Sequence, residues 1–400
     1  MRTLLALSAS VLLVACGSEA PTPETDVSYQ DELQLALLDA EPGDVITIPA
    51  GTHQLDRGLS LTASGVTIRG EGMDTSVLSF AGQIAGAEGL LVTGDDVVLE
   101  DFAVEDAKGD AIKINDTTGV TIRRVRTEWT GEPKTENGAY GLYPVQTENV
   151  LIDGAVAIGA SDAGIYVGQS RNVVVRNSRA ERNVAGIEIE NTQDADVYDN
   201  VATDNTGGIL VFNMPDLSQA GGRVRVYNNE VFENDRKNFG HPGTPVASIP
   251  AGSGVVVNSH DDIEIFSNDI RDNRTANIII ASVYSSNFAD SSFSDSFDPY
   301  PERIHIHSNR LSGGGDKPDG MDLKAAKTMM FGMSGRFPHV LWDGYAPDGR
   351  DPMICVADET VEVLNADMAN GSADMRVERA PFACDLPRLS EVSLSTDSGG

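Results

Sequence analysis

The chain has 400 residues, of which 61 are acidic and 29 are basic, and its formal net charge is -32. A surface this acidic repels phosphate backbones, so we predict no nucleic-acid partner. It also disfavours electrostatic capture of an anionic polysaccharide, unless cations or a local basic groove intervene.

The first residues read as an export signal. Arg2 precedes an apolar stretch from Leu4 to Val14, which is too short for a stable membrane span and is typical of a removed signal. The run Leu13-Val-Ala-Cys16 resembles the lipobox of bacterial lipoproteins, and that resemblance implies cleavage before Cys16 and lipid attachment there. We therefore expect a signal peptide over 1–15, a flexible tether over 16–28, and a lipid anchor in the outer membrane, on its periplasmic side or at the cell surface.

The next segment, 29–64, predicts a cap for whatever follows. Leucines at helical spacing predict a short amphipathic helix from Tyr29 to Ala40, ended by Glu41-Pro-Gly43. The apolar stretch after Asp44 predicts a first strand. A helix in this place would cover the open end of a stack of coils.

Residues 65–315 repeat one short unit, an alternating apolar strand followed by a turn. The first strands of the nine copies fall at 65–68, 96–99, 119–122, 149–152, 172–175, 195–197, 224–226, 263–265 and 304–306. A second strand accompanies nearly every copy, and no helical pattern separates them. Two or three strands per copy at this period predict an all-β solenoid, the parallel β-helix.

An asparagine recurs after the first strand of the later copies. It occupies positions Asn200, Asn229, Asn268 and Asn309. Asparagine suits tight turns, and stacked amides can hydrogen-bond from coil to coil, so we predict a structural asparagine ladder.

The remaining segment, 316–400, loses the repeat and predicts an irregular C-terminal cap. With Cys16 taken by lipid, Cys355 and Cys384 form an even pair in an oxidising compartment. A disulfide between them would stabilise the cap by roughly 3 kcal/mol. Neither has a Cys-X-X-Cys partner, which disfavours redox catalysis and a zinc knuckle.

Aligning the second strands places outward residues in two columns, with coils about 4.8 Å apart. The first column reads Lys113, Tyr143, Tyr166, Glu188, Leu210, Val256 and Ile279, and the second reads Asn115, Val145, Gly168, Glu190, Phe212, Asn258 and Ala281. The early coils thus offer a base, aromatic rings and acids, which favours a polysaccharide track. Its substrate-binding residues would be Tyr143, Tyr166, Asn115, Phe212 and Asn258. The apolar later coils need a cover, either the 234–252 insertion or a partner protein.

Four stretches, 137–145, 159–169, 183–191 and 206–212, resemble the bacterial parallel β-helix repeat lipoprotein family, which shares the pectate-lyase-like superfold. The resemblance covers most of the mature chain. It implies a right-handed β-helix and export, while the biochemical role of that family is unassigned.

Lyases of this superfold use a basic residue to remove a proton beside a uronate carboxylate that calcium or arginine neutralises. By that resemblance Lys113 would be the base, and Glu188 with Glu190 would bind calcium; no arginine lies on the columns. Alternatively, Glu188 and Glu190, expected to be exposed two residues apart on one strand, could act as the acid and base of inverting hydrolysis. The Asp-Pro-His-Asp motif of mannuronan epimerases is absent.

A metal site is a third hypothesis. His305 and His307 alternate with inward isoleucines, and Glu264 would lie one coil below, a donor set for copper or zinc. The competing interpretation is two solvated histidines. Asp162 precedes a strand, and we interpret it as a turn cap.

The sequence leaves three functions open. The first is a lipid-anchored protein whose elongated face binds a polysaccharide or an envelope protein. The second is a polysaccharide lyase or glycoside hydrolase working on the strip from Lys113 to Glu190. The third is a metal-handling accessory protein. No cofactor is certain, although the acid count makes calcium plausible.

Overall fold

The computed structural model describes residues 28–286, 293–294 and 296–394. The predicted signal peptide, Cys16 and most of the tether lie outside this range. Within it, no helix has the length and apolar character needed to cross a bilayer.

Three sheets form the walls of a β-helix, because most coils contribute one strand to each wall. Among the described residues the strands pair in parallel, except that Arg376–Glu378 runs antiparallel to Val363–Asn365 at the end of the third sheet. Sheet 1 contains Val45–Thr47, Thr67–Arg69, Val98–Glu100, Thr118–Arg123, Glu148–Asp153, Arg171–Arg176, Gln193–Tyr198, Gly222–Tyr227, Ile263–Phe266, Ile304–His307 and Ile354–Val356. Sheet 2 contains Gly51–Gln54, Ser76–Ser79, Ala103–Glu105, Arg126–Glu128, Val156–Ile158, Arg179–Glu181, Val201–Thr203, Glu230–Phe232, Asp269–Arg271 and Arg310–Ser312. Sheet 3 contains Arg57–Leu61, Ala85–Val92, Ile112–Asn115, Tyr140–Val145, Ala163–Gly168, Ala185–Glu190, Gly207–Phe212, Ser253–Asn258, Ala276–Ala281, Val340–Trp342, Val363–Asn365 and Arg376–Glu378.

The helices lie at the ends of the chain and in its insertions. Helix α1 spans Tyr29–Leu38 and helix α2 spans Met321–Phe331. Four 3₁₀ turns occupy Pro245–Ser248, Val283–Ser285, Met368–Asn370 and Ala380–Phe382.

The core is a set of apolar ladders inside the coil. On sheet 3 one ladder passes from Leu142 to Ile165, Ile187, Ile209 and Val255, each aligned with the next and fully buried. A single coil cannot bury these side chains by itself, and stacking supplies the missing faces. The predicted parallel β-helix is confirmed, with three strands in most coils.

The predicted asparagine ladder is confirmed. The amide of Asn200 donates to Asn229, Asn229 to Asn268, and Asn268 to Asn309, each over 3.0 Å between nitrogen and oxygen. The left-handed backbone falls on the residue before each asparagine, so the amide hydrogen bonds explain the choice of asparagine. A second ladder, unforeseen from the sequence, joins Asn183, Asn205, Asn234 and Asn273 before sheet 3.

Helix α1 caps the first coils as expected, although only half of its leucines are used. Leu33 and Leu37 are buried in the core, whereas Leu35 and Leu38 are exposed. Ser28 caps the helix by accepting a hydrogen bond from the backbone of Asp31.

The β-helix continues beyond residue 315, where the cap was expected to begin. Val340–Trp342 and Val363–Asn365 extend sheet 3, and Ile354–Val356 extends sheet 1. These coils were missed because helix α2 and proline-rich loops interrupt the repeat. The predicted disulfide is confirmed, with 4.9 Å between the Cα atoms of Cys355 and Cys384.

After Cys384 the chain turns back along the outer face of sheet 1, and we call residues 385–394 the strap. Arg388 Nη1 lies 2.9 Å from Glu264 Oε1, and the backbone N–H of Val392 donates to Asp196 over 3.1 Å. Leu394 packs on Leu151 and Val174. The strap therefore contacts coils far from the one at which it starts.

Candidate functional site

The two predicted columns on sheet 3 exist as expected. Strand register aligns Lys113 with Tyr143, Tyr166 with Glu188, and Glu188 with Leu210. In the second column Asn115 aligns with Val145, and Gly168 with Glu190. The early coils therefore bring the base, the aromatic residues and the acids together on one surface.

Three tyrosines form one aromatic cluster over these coils. The ring centroids of Tyr140 and Tyr143 are 4.3 Å apart, and those of Tyr140 and Tyr166 are 4.7 Å apart. Tyr143 meets Tyr166 edge to face at 5.0 Å. Burial raises the pKa of all three phenols, so each keeps its proton at neutral pH.

The carboxyl groups beside the tyrosines are buried and have raised pKa values. Glu188 is 1% exposed, and one of its carboxyl oxygens is buried without a hydrogen-bond partner. Burial raises the pKa of Glu188 well above its usual value, and the neighbouring Asp162 and Glu190 add to the rise. Burial likewise raises the pKa of Asp162 to about 8, with Glu190 contributing. Asp162 is therefore mostly protonated at neutral pH, and Glu188 is shifted in the same direction.

Glu190 differs from Glu188 in having a partner. The Tyr166 hydroxyl donates to Glu190 Oε1 over 2.7 Å. Burial raises the pKa of Glu190, while this hydrogen bond opposes the rise. Glu190 is half-buried and is therefore the more accessible member of the pair.

The expectation that Glu188 and Glu190 are both solvated was wrong. Both side chains point away from the coil interior, as predicted, but their neighbours cover them. Tyr166 is itself buried and extends along its strand over Gly168, where a Cβ atom would lie 2.2 Å from the tyrosine oxygen. A glycine at that position is what lets the tyrosine reach Glu190.

A half-buried rim surrounds these residues. Lys113 Nζ lies 5.0 Å from the centroid of the Tyr143 ring, a cation–π arrangement. Burial raises the pKa of Asp110 to about 6, and the charge of Lys113 opposes the rise. We call the buried Asp162, Tyr166 and Glu188 the floor, and the half-buried Asp110, Lys113, Asn115, Tyr140, Tyr143 and Glu190 the rim.

The later coils of sheet 3 are covered by the chain itself. Leu210 and Val256 share one buried cluster with Val246 and Ile249 of the 234–252 insertion and with Ala326 of helix α2. The predicted covering role of the insertion is confirmed, and helix α2 assists it. Phe212 lies in the same cluster and is 2% exposed, so the expectation that its ring is open to a substrate was wrong.

A cavity of about 480 Å³ remains between this cover and sheet 3. Asn258 lines it, 7% exposed, with its side-chain oxygen unpartnered. Asp343 lies at the same cavity and accepts hydrogen bonds from Ser282 and Ser285, while burial raises its pKa to about 7. Asn258 is the one predicted substrate-binding residue on the later coils that faces a cavity.

The histidine pair lies on sheet 1, away from the columns. His305 and His307 are 2% and 5% exposed, so the interpretation of two solvated histidines was wrong. The structure brings both rings to Glu264, as the coil period predicted. Burial lowers the pKa of His307 to about 4, which leaves the imidazole neutral.

Several residues of the site were not identified from the sequence. Asp162 was interpreted as a turn cap, yet within the described residues no donor bonds its carboxylate. The sequence did contain a signal for Tyr140. In the next three coils the aligned residues are Ala163, Ala185 and Gly207, and these small residues leave space for a large ring. For Asp110 the only sequence signal was its position before a strand.

Comparison with known proteins agrees with this architecture. Residues 64–231 match the family model for a right handed beta helix region. No curated protein sequence matches the chain.

Solved structures resemble the fold at low sequence identity. The A-module of mannuronan C-5 epimerase AlgE4 from Azotobacter vinelandii is 19% identical with a TM-score of 0.54, over 79% of this chain and 87% of that one. The AlgE6 A-module of the same organism is 16% identical with a TM-score of 0.50, over 81% and 88%. Pectate lyase Pel9A is 14% identical with a TM-score of 0.43, over 91% and 84%. The chain has the fold of a right-handed parallel β-helix, which it shares with the two mannuronan C-5 epimerase modules.

Proposed function

We propose that the protein is a polysaccharide-cleaving enzyme whose active site is the rim and floor on sheet 3. The observation that carries this proposal is a set of carboxyl groups with raised pKa values packed against tyrosines and beside a lysine. Perturbed carboxyl groups gathered at one place are typical of catalytic sites. A structural network would instead pair each buried acid with a base.

The rim provides an acid for bond cleavage and a carboxylate further along the strip. Asp110, with its pKa near 6, is a carboxylate at neutral pH, but strand register places it three coils from Glu190, too far for an inverting acid–base pair, so its role is to bind the substrate. Glu190, whose pKa burial raises, can give a proton to the glycosidic oxygen as its bond to the sugar carbon breaks. Water then adds to that carbon and gives its proton back to the Glu190 carboxylate, so the reaction is a hydrolysis. The floor acids touch no substrate, and burial keeps the pKa of Glu190 above its usual value.

The same rim fits a sugar chain. Tyr140 and Tyr143 present half-buried rings to one another and to solvent, and coils about 4.8 Å apart approximate the length of one sugar ring. Lys113 beside them could pair with a uronate carboxylate. If the substrate is a uronate, Lys113 is also placed to remove a proton in a lyase reaction.

Binding without cleavage is the second candidate. The tyrosine cluster alone would hold a polysaccharide, whatever the carboxyl groups do. The main argument for a protein partner on the later coils no longer holds, because the insertion and helix α2 cover that apolar surface. An envelope protein would have to bind elsewhere.

The test is a screen of the chain that begins at residue 17 against neutral and uronate polysaccharides, with and without calcium. Reducing ends report hydrolysis, ultraviolet absorbance reports the unsaturated product of a lyase, and calorimetry reports binding. We expect product formation, reduced at least 100-fold in Glu190→Gln. Loss of absorbing product in Lys113→Ala would instead identify a lyase, and a calcium requirement would support the predicted ions at Glu188 and Glu190.

Asp196→Asn is the matched control, because Asp196 is also a buried acid with a raised pKa but lies on sheet 1. It should retain full activity. Binding without product in the wild-type protein would reject the enzyme and leave the binding function. Neither binding nor product would reject both.

We also propose that the protein is exported and held in the outer membrane by lipid on Cys16. The support is the lipobox resemblance at Leu13-Val-Ala-Cys16 and the polar tether that follows. Labelled fatty acid should appear in the wild-type protein and not in Cys16→Ala. Unlabelled wild-type protein in an exporting bacterial host would contradict the proposal.

A further inference from the structure

A second cluster of side chains that can bind a ligand lies on sheet 1, a different wall of the β-helix from the one that carries the rim and floor. His305 aligns with Glu264 in strand register, and His307 follows on the same strand. The candidate ligand atoms of these three residues lie within 4.8 Å of one another. All three side chains are buried, so the cluster is part of the packed molecule.

Among the described residues, His305 has few partners for its ring nitrogens. Both of these nitrogens are buried. Asp385 of the strap places Oδ1 2.7 Å from His305 Nε2, which leaves Nδ1 as the ring nitrogen without a partner among the described residues. Buried ring nitrogens are normally satisfied, and an unsatisfied one needs an explanation.

The surroundings fix the orientation of the second histidine. The ring of His307 stacks on Phe266 at 5.1 Å, at the end of a file that includes Tyr227 and Tyr198. Its Nε2 atom lies 2.9 Å from Glu264 Oε1. The imidazole is therefore held in place before any ligand arrives.

We propose that Glu264, His305 and His307 form a binding site for a divalent transition-metal ion, Zn²⁺ or Cu²⁺, completed by Asp385. Two neutral imidazoles and two carboxylates are a donor set that these ions prefer. Calcium and magnesium prefer oxygen ligands alone and would not use the histidines. A bound ion would also give one ring nitrogen of His305 a partner.

The strap would control access to the site. Arg388 Nη1 lies 2.9 Å from Glu264 Oε1, so its positive charge neutralises the Glu264 carboxylate, as a bound metal ion would. The Arg388 side chain is 56% exposed, so it can move into solvent without unpacking the core. Arg388 is therefore a competitor of the metal, and the strap brings both this competitor and the ligand Asp385.

The experiment is a metal titration of the full-length protein, purified in detergent and freed of metal with a chelator. Zn²⁺ and Cu²⁺ are titrated by calorimetry, and Co²⁺ is used as a spectroscopic probe of the ligand geometry. We expect one ion per chain. Affinity should fall at least 100-fold in His305→Ala and in His307→Ala, and about 10-fold to 100-fold in Asp385→Asn.

Two further variants keep the proposal falsifiable if a histidine variant fails to fold. Arg388→Ala retains every proposed ligand and removes the competitor, so it should bind metal more tightly than the wild-type protein. His241→Ala removes an exposed histidine in the 234–252 insertion and should change nothing. Absence of stoichiometric binding in both the wild-type protein and Arg388→Ala would overturn the proposal, as would unchanged binding in His305→Ala.

Discussion

The outer faces of sheet 1 and sheet 3 both carry buried acids, but they treat them differently. On sheet 1, Asp196 lies 3.1 Å from Arg225 and accepts a hydrogen bond from the strap, while Glu264 is paired with Arg388. On sheet 3, Glu188 and Asp162 have no basic partner among the described residues, and burial disfavours their charged forms. The first arrangement holds the chain together. In the second arrangement burial favours the protonated form of the carboxyl groups, and this is why we place the chemistry on sheet 3.

The largest effect should come from breaking the pair on sheet 1. Arg225→Met leaves Asp196 buried without its cation, and we expect a loss of about 3–5 kcal/mol in the free energy of unfolding. Chemical denaturation measures it. Lys113→Met is the matched control on sheet 3, because Lys113 is half-buried and forms no ion pair among the described residues. An equal loss in both variants would erase the distinction between the two faces.

The strap should depend on its covalent anchor. Replacing Cys355 and Cys384 together by serine should cost about 3 kcal/mol, because the unfolded chain loses a closed loop. Limited proteolysis should then cut residues 385–394 before the coils. If the strap resists the protease as well as it does in the wild-type protein, its side-chain contacts alone hold it in place.

The floor acids predict how stability depends on pH. A carboxyl group whose pKa is raised on folding stabilises the native state below its unfolded pKa of about 4, and that stability is lost as pH rises toward the folded pKa. For Asp162 the folded pKa is about 8. We expect Asp162 to contribute a loss of roughly 3 kcal/mol between about pH 5 and pH 7.

Asp162→Asn combined with Glu188→Gln should remove the contribution of the floor acids, because amides do not titrate. Thermal melts across the pH range of about 5 to 7 measure it. Asp196→Asn should remove less, since Asp196 titrates near pH 6. A wild-type slope that the double variant leaves unchanged would place the titrating groups elsewhere.

A smaller effect tests the packing of Tyr166. Gly168→Ala would place a Cβ atom 2.2 Å from the Tyr166 oxygen, so the ring must move away from Glu190 at a cost of about 2 kcal/mol. Gly222 is the matched glycine on a strand of sheet 1, with no atom within 4 Å of its Cβ position. Gly222→Ala should be nearly neutral. Equal stability of the two variants would show that Tyr166 can relocate freely.

The sequence was sufficient to predict what the coil period controls. It placed Lys113, Tyr143, Glu188 and Glu190 in their columns and His305 above Glu264, because register follows from alternation and repeat length. It could not predict burial on the outer faces, which depends on segments outside the repeat. Helix α2 and the strap come from the C-terminal region, where no periodicity indicates which coil they reach.

Burial of the acids is the clearest example. Whether Glu188 is solvated depends on where Tyr166 lies, and that depends on a glycine two residues further along its own strand. Exposed and buried glutamates look alike in an alternating pattern. The pKa values that suggest chemistry follow from packing, and packing on these faces is not periodic.

The strap also bears on how the molecule can come apart. A stack of coils has contacts only between neighbours, and such a stack can unzip from either end one coil at a time. By packing Leu394 on Leu151, the strap links the coil that carries the disulfide to a coil near the middle of the stack. Loosening of the last coil is then opposed by the coils that it would have to leave behind. This end of the protein should open as one cooperative block.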